Sequence, residues 1–184
     1  MLKRLGSFFL DIIQVVVFSV AIFLFIYLLI LQPHKIKGNS MQPNFPDGEF
    51  LLTDKVTYRF REPERGDVIV FKPPGSQGEE FIKRIIGLPG EKVSLSNGSI
   101  FINGLKLNEV DYLDPSVLTL GISFLTEGNQ ITVSDESYFV AGDNRPHSSD
   151  SRAFGPIEKS SITGRAWVVY WPVSEIGFIQ EVNY

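Results

Sequence analysis

Hydrophobic and polar positions divide the chain into two unlike parts. Residues 8–31 are almost wholly apolar, interrupted only by Asp11, Gln14 and Ser19. A helix that crosses a bilayer needs roughly 20 apolar residues to span about 30 Å of hydrocarbon, and residues 12–31 supply that length. The pattern predicts a membrane anchor over 8–31, preceded by a short segment, 1–7. A buried core helix would keep one polar face, and this stretch has none. A cleavable secretory signal is the competing reading. Its apolar region is shorter, about 7–15 residues, and ends in a small-x-small site, where this chain has Leu28-Leu29-Ile30-Leu31-Gln32-Pro33. Lys3 and Arg4 precede the span and Lys35 and Lys37 follow it, so positive charge leaves the orientation open.

Beyond Pro33 the pattern changes to short runs rich in Val, Ile, Phe and Tyr, separated by Gly, Pro, Asn and Asp. The runs at 49–53, 67–71, 81–86, 99–102, 137–140 and 166–170 predict strands. Asn97-Gly98 and Asn103-Gly104 each sit between alternating stretches, and tight hairpins favour such pairs because they need positive φ. The expected architecture is a mainly β domain over 32–184, with residues 92–136 as a small β-hairpin insertion.

Length and composition then narrow the function. At 184 residues with no cysteine, the chain suits one domain plus its anchor and excludes thiolate chemistry and disulfides. A net charge of -4 provides no broad positive field, so nucleic acid is not expected as a partner.

Four segments carry candidate chemistry: Gly38-Asn39-Ser40-Met41-Gln42-Pro43; Arg65-Gly66-Asp67-Val68-Ile69-Val70-Phe71; Phe81-Ile82-Lys83-Arg84-Ile85-Ile86-Gly87-Leu88-Pro89-Gly90-Glu91; and Gly142-Asp143-Asn144-Arg145-Pro146-His147-Ser148-Ser149-Asp150-Ser151-Arg152. Taken singly, each reads as a turn, a strand or a polar loop. In this order, behind one N-terminal anchor, they resemble the sequence boxes of the type I signal peptidases, serine proteases that use a Ser-Lys dyad. The resemblance runs from Met1 to about Pro172 and is least specific between Lys92 and Glu136. It implies a signal-peptidase-like β-sheet catalytic domain that cuts signal peptides from preproteins, beside the export machinery. It also implies a cytoplasmic N-terminus and a catalytic domain on the outer side of a bacterial-type cytoplasmic or thylakoid membrane. By position, Ser40 matches the nucleophile, Lys83 the general base and Ser148 the serine that helps hold the lysine amine. Asp150, Arg152 and Arg84 match charged residues that brace the site. No metal or cofactor is implied.

The residues support such chemistry on physical grounds. A serine hydroxyl is a poor nucleophile until a base takes its proton. With only His34 and His147 present, a Ser-His-Asp triad has few ways to form, and lysine is the available substitute. Lysine near its usual pKa of about 10.4 is protonated at neutral pH, but burial lowers that value. In a strand, Lys83 shares a face with Phe81 and Ile85, and Arg84 points the other way with Ile82 and Ile86. Alone, the same run also fits a strand-edge lysine that discourages aggregation.

The chain departs from the resemblance at three points. Many bacterial members have a serine two residues before the nucleophile as an oxyanion donor, where this chain has Gly38. The Ser40 N–H must then supply more of that stabilisation, with a neighbouring main-chain group that Gly38 would admit. Asn44 follows Pro43 in place of threonine, with little effect expected. Pro146-His147 replaces an acidic-Asn pair, and His147 reads as a tolerated surface variant.

An extended peptide pairs with a sheet edge and sends alternate side chains into pockets. By resemblance, Ile36, Met41, Leu51, Val70, Phe81 and Ile82 line pockets that prefer small residues one and three positions before the cut; each also fits an ordinary core position. Trp167, Trp171, Phe178 and Tyr184 suggest contact with membrane lipid, with a core role equally open for Trp167. Two rivals remain. One is a self-cleaving soluble regulator with the same dyad, which the hydrophobic N-terminus argues against. The other is a tethered β-domain that binds peptides without cutting them.

Overall fold

The computed structural model describes residues 2–182 and 184; the side chains of Lys3 and Arg4, on which the orientation rule draws, and Met1 of the 1–7 segment lie outside the described set. Helix α1 (Leu2–Leu29) contains the apolar window Phe8–Tyr27, of mean hydropathy 2.6, with none of it buried against the protein. At 1.5 Å per residue, 20 residues rise about 30 Å. The helix starts earlier than the anchor read from the sequence, and it stops before Leu31. Leu31 opens strand β1 (Leu31–Lys35) instead, because Pro33 lacks an N–H and biases the residue before it towards extended backbone.

The strands follow the alternation in the sequence. Strands β2 (Phe50–Asp54), β3 (Val68–Phe71) and β4 (Phe81–Gly87) precede a separate four-stranded sheet. That sheet consists of β5 (Lys92–Ser96), β6 (Ser99–Ile102), β7 (Leu105–Lys106) and β8 (Gln130–Thr132). The chain then returns through β9 (Ser137–Ala141), a single helical turn α2 (Ser151–Phe154), β10 (Ile157–Glu158), β11 (Ile162–Trp171) and β12 (Gly177–Phe178). The main sheet has the order β1-β2-β11-β3-β4-β9-β10, with β12 paired to β11, and all its pairings are antiparallel. Both turn signals close hairpins, β5–β6 and β6–β7, with positive φ at Asn97, Gly98, Asn103 and Gly104.

Two consequences of the packing position the site. The insertion sheet docks through Val93, Leu95, Ile100 and Ile102 onto Ile86, Phe139 and Ala141, so β4 and β9 are buttressed from behind. A second cluster, including Ile36, Met41, Leu51, Val68 and Val70, ties the β1–β2 region to β3.

Candidate active site

Ser40 lies in the turn after β1, and Lys83 lies in β4, opposite Ile69 of β3. The Lys83 side chain is 3% exposed, and its Nζ lies 2.7 Å from Ser40 Oγ and 2.8 Å from the Ile82 carbonyl. Nζ also sits 5.1 Å from the Phe81 ring centre, on the face that strand alternation assigns it. Burial is the dominant influence and pushes the Lys83 pKa down to about 8, against the opposing pull of Asp150 and Asp143. Around pH 8 a large fraction of Lys83 is therefore a neutral amine, to which Ser40 O–H donates across the same contact.

Two buried ion pairs brace this dyad. Arg84 points away from Lys83 and grips Asp143 through both carboxylate oxygens, Nε at 2.9 Å and Nη2 at 2.7 Å. It also donates to the Gly66 carbonyl and covers the Tyr112 ring at 4.2 Å. Arg152 holds Asp150 in the same two-pronged way, both bonds at 2.8 Å, and the Gly142 N–H adds a third donor at 3.0 Å. Burial alone would raise the Asp150 pKa; the Arg152 guanidinium and the Gly142 N–H outweigh it and hold the carboxyl below its usual range. Asp150 therefore stays anionic and steadies the ammonium form of Lys83.

The loop 142–148 fixes the Ser40 turn. Asn144 N–H donates to the Ser40 carbonyl at 3.0 Å and its side chain to the Asn39 carbonyl at 2.9 Å. Gly142 is crowded: a Cβ there would collide with Ser148 Oγ and the Ser40 carbonyl oxygen. Ser148 is buried beside it; its hydroxyl makes no hydrogen bond of full geometry among the described residues, yet it lies close enough to Asp150 to help hold that carboxyl below its usual range. It does not bond the lysine amine, whose partners are Ser40 and Ile82.

Gly38 has a different role from the one expected. Its φ is +86°, a conformation glycine adopts without penalty. Nothing lies within 4 Å of an added Cβ, so it admits no close main-chain neighbour. Its own N–H is bound to Asp47 Oδ1 at 2.7 Å and is not free for an oxyanion. The Ser40 N–H has no protein acceptor among the described residues and remains the donor at hand.

Beside the dyad lies a cleft of about 310 Å³. Of the residues assigned to substrate pockets by resemblance, Ile36, Leu51, Val70, Phe81 and Ile82 line it. Met41 does not: at 1% exposure it is core, turned inward under the Ser40 loop, with its sulfur accepting the Asp143 N–H at 3.4 Å. His147 is exposed at the rim, a surface position as anticipated. His34 and Glu80, bonded at 2.8 Å, form the far wall, which no local sequence signal indicated.

Comparison with known proteins decides the family. The profile described as "Signal peptidase, peptidase S26" matches residues 9–171. The chain belongs to the signal peptidase family, peptidase S26. A probable signal peptidase I-2 from Synechocystis sp. is 36% identical over 151 residues, which are 79% of this chain and 66% of that protein. A signal peptidase I from Leptolyngbya laminosa is 36% identical over 90% of this chain and 81% of its own length. A solved signal peptidase I from Enterococcus faecalis V583 is 33% identical over 57% of this chain and 97% of its own, with a TM-score of 0.45. This signal peptidase I relative is thus a hydrolase, a serine protease of signal peptides. Its single N-terminal apolar helix fits a single-pass membrane protein.

Proposed function

We propose that this chain cuts preproteins by a Ser40–Lys83 dyad, after small residues one and three positions before the scissile bond. The observation that carries the reading is the 2.7 Å contact between Ser40 Oγ and a lysine amine that burial has brought to a pKa of about 8. Neutral Lys83 takes the Ser40 proton as Oγ attacks the substrate carbonyl. The Ser40 N–H stabilises the oxyanion, a donor type whose loss costs about 100- to 1000-fold elsewhere. Lys83 then passes the proton to the leaving amine, and water hydrolyses the acyl-enzyme. Ser148, buried beside Gly142 and Asp150, is proposed to help hold the lysine amine during the cycle.

Substrate backbone has two edges to meet. On β4, pairing with β9 begins only at Arg84, so residues 81–83 keep one edge open. Across the cleft, the Ile36 N–H and C=O both bond towards Gly48 and Glu49, which turns the backbone groups of Lys35 and Lys37 outward. An extended signal peptide fits between these edges, with alternate side chains directed at the aliphatic walls. The domain is proposed to face the outer side of a bacterial-type cytoplasmic or thylakoid membrane, the N-terminus to be cytoplasmic, and the chain to work next to the export machinery.

The test is cleavage of a preprotein by purified protein in detergent, with N-terminal sequencing of the product. Ser40→Ala and Lys83→Ala are each expected to lower turnover by at least about 1000-fold, and the product should begin after a small residue. Undiminished cleavage by either variant contradicts the dyad, and stoichiometric peptide binding without cleavage by the wild type supports a tethered binding domain instead.

A further inference from the structure

A second cavity, of about 520 Å³, is larger than the catalytic cleft and shares no lining residue with it. Its walls come from the C-terminal segment on one side and from Phe45, Glu49 and Arg84 on the other. Glu49 is 5% exposed, and its Oε2 is buried without a hydrogen-bond partner among the described residues. A buried carboxylate oxygen left unpaired is costly, and Glu49 is among the residues that line the cavity. Its backbone is fixed, because the Glu49 carbonyl accepts the Ile36 N–H at 2.8 Å.

The surroundings are anionic. Exposed Asp111, Glu175 and Glu181 add carboxylates to the lining; Glu181 is already paired with Arg165 at 3.0 Å, which leaves Asp111 and Glu175 beside Glu49. The cation in the same wall, Arg84, is committed to both oxygens of Asp143 and to the Gly66 carbonyl. Burial and the charge of Glu175 together push the Glu49 carboxyl above its usual range, a penalty that a cation in the cavity would relieve. Among the described residues no group of three or more His, Asp or Glu is close enough to hold a metal ion. The remaining lining includes apolar surface from Phe45, Val169, Phe178 and Ile179.

We propose that this cavity binds an organic cation, a primary ammonium or guanidinium carried on a short apolar chain. The charge meets Glu49 and the chain lies against Phe45, Val169 and Phe178. The two cavities share no lining residue, and binding in the second needs no Ser40–Lys83 chemistry, but Arg84 and the Ile36–Glu49 hydrogen bond connect their walls.

The test uses the full chain in detergent micelles, titrated with n-butylammonium and followed by calorimetry and tryptophan fluorescence. The chain has two tryptophans, and Trp167 lies 5.6 Å from the Phe178 ring that walls the cavity. A saturable response is expected, absent with n-butanol and with sodium chloride at equal ionic strength. Glu49→Gln, which keeps the side-chain shape, should weaken binding at least tenfold, and the exposed Glu175→Gln several-fold. If Glu49→Gln fails to fold, the Glu175→Gln comparison decides. No saturable response, an equal response to butanol or sodium chloride, or unchanged affinity in the folded variants would overturn the proposal and leave a cavity filled by water only.

Discussion

Lys83 is under two opposing electrostatic demands. Desolvation disfavours its proton, while Asp150 and Asp143 favour keeping it; the balance near 8 suits the proposed base, which must both lose and regain a proton. The same balance has a stability cost. A lysine whose folded pKa lies below its unfolded value binds fewer protons when folded, so its burial destabilises the protein below about pH 8. That cost fades as pH rises towards the unfolded value of about 10.4. Lys83→Met, which fills the same space without a charge, is therefore expected to be inactive yet more stable at pH 7 by on the order of 1–3 kcal/mol, measured by urea unfolding in detergent. The gain should shrink at pH 10; a variant less stable at pH 7 contradicts the buried-amine account. Asp150→Asn should act in the opposite sense on stability, since it strands Arg152, at a cost of about 3–5 kcal/mol. In the sequence, apolar neighbours at alternate positions fit a buried Lys83 and a strand-edge lysine alike; only its 3% exposure in the fold separates the two. The sequence did not sort the ion pairs either. Arg84 and Asp143 are 59 residues apart, and nothing local distinguishes Asp143 from Asp150 as the partner of either arginine.

Loop 142–148 and strand β4 are the elements that convert two remote residues into a site. The loop presses on the Ser40 turn through Asn144, and its first glycine leaves no space for a methyl group between Ser148 and Ser40. Gly142→Ala is expected to keep the fold, at about 1–3 kcal/mol of overpacking, while lowering kcat/KM about 100-fold by shifting Ser40. Circular dichroism and preprotein cleavage measure the two effects; full activity would show that the loop does not set the geometry. The main strands were legible because their alternation is regular: 81–86 was expected and Phe81–Gly87 is found. Strand β1 was not, since Leu31 continues the anchor's apolar run and Pro33 interrupts any strand pattern. Its pairing with β2 is a tertiary outcome, as are the two- and three-residue strands at sheet edges. Met41 was misassigned for a related reason: neighbouring turn residues carry no fixed alternation, so sequence could not tell a wall from a core.

Across the whole molecule, the anchor and the catalytic domain meet at an apolar surface. Ile30 and Leu31 share a shallow pocket with Phe60 and Trp167, and Phe60, Trp171 and Phe178 are 85%, 53% and 72% exposed. Trp167 is 38% exposed and so lies at the surface rather than in the core. Tyr184, expected with it to contact lipid, instead bonds the Tyr112 hydroxyl and packs by Arg65. Aromatic rings beside a membrane span favour the bilayer interface, which would bring the cleft to membrane-embedded substrate. The double variant Phe60→Ser with Phe178→Ser is expected to lower kcat/KM on a preprotein in vesicles about tenfold, a difference of roughly 1.4 kcal/mol, and to leave cleavage of a soluble peptide unchanged. Equal loss on both substrates would assign these rings to folding. The central claim, that buried Lys83 serves Ser40 as base, is tested most directly by the pH dependence of kcat/KM on a short peptide. Activity should rise with pH through an ionisation near 8, as the amine loses its proton; a limb near the ordinary lysine value of about 10.4 would contradict it.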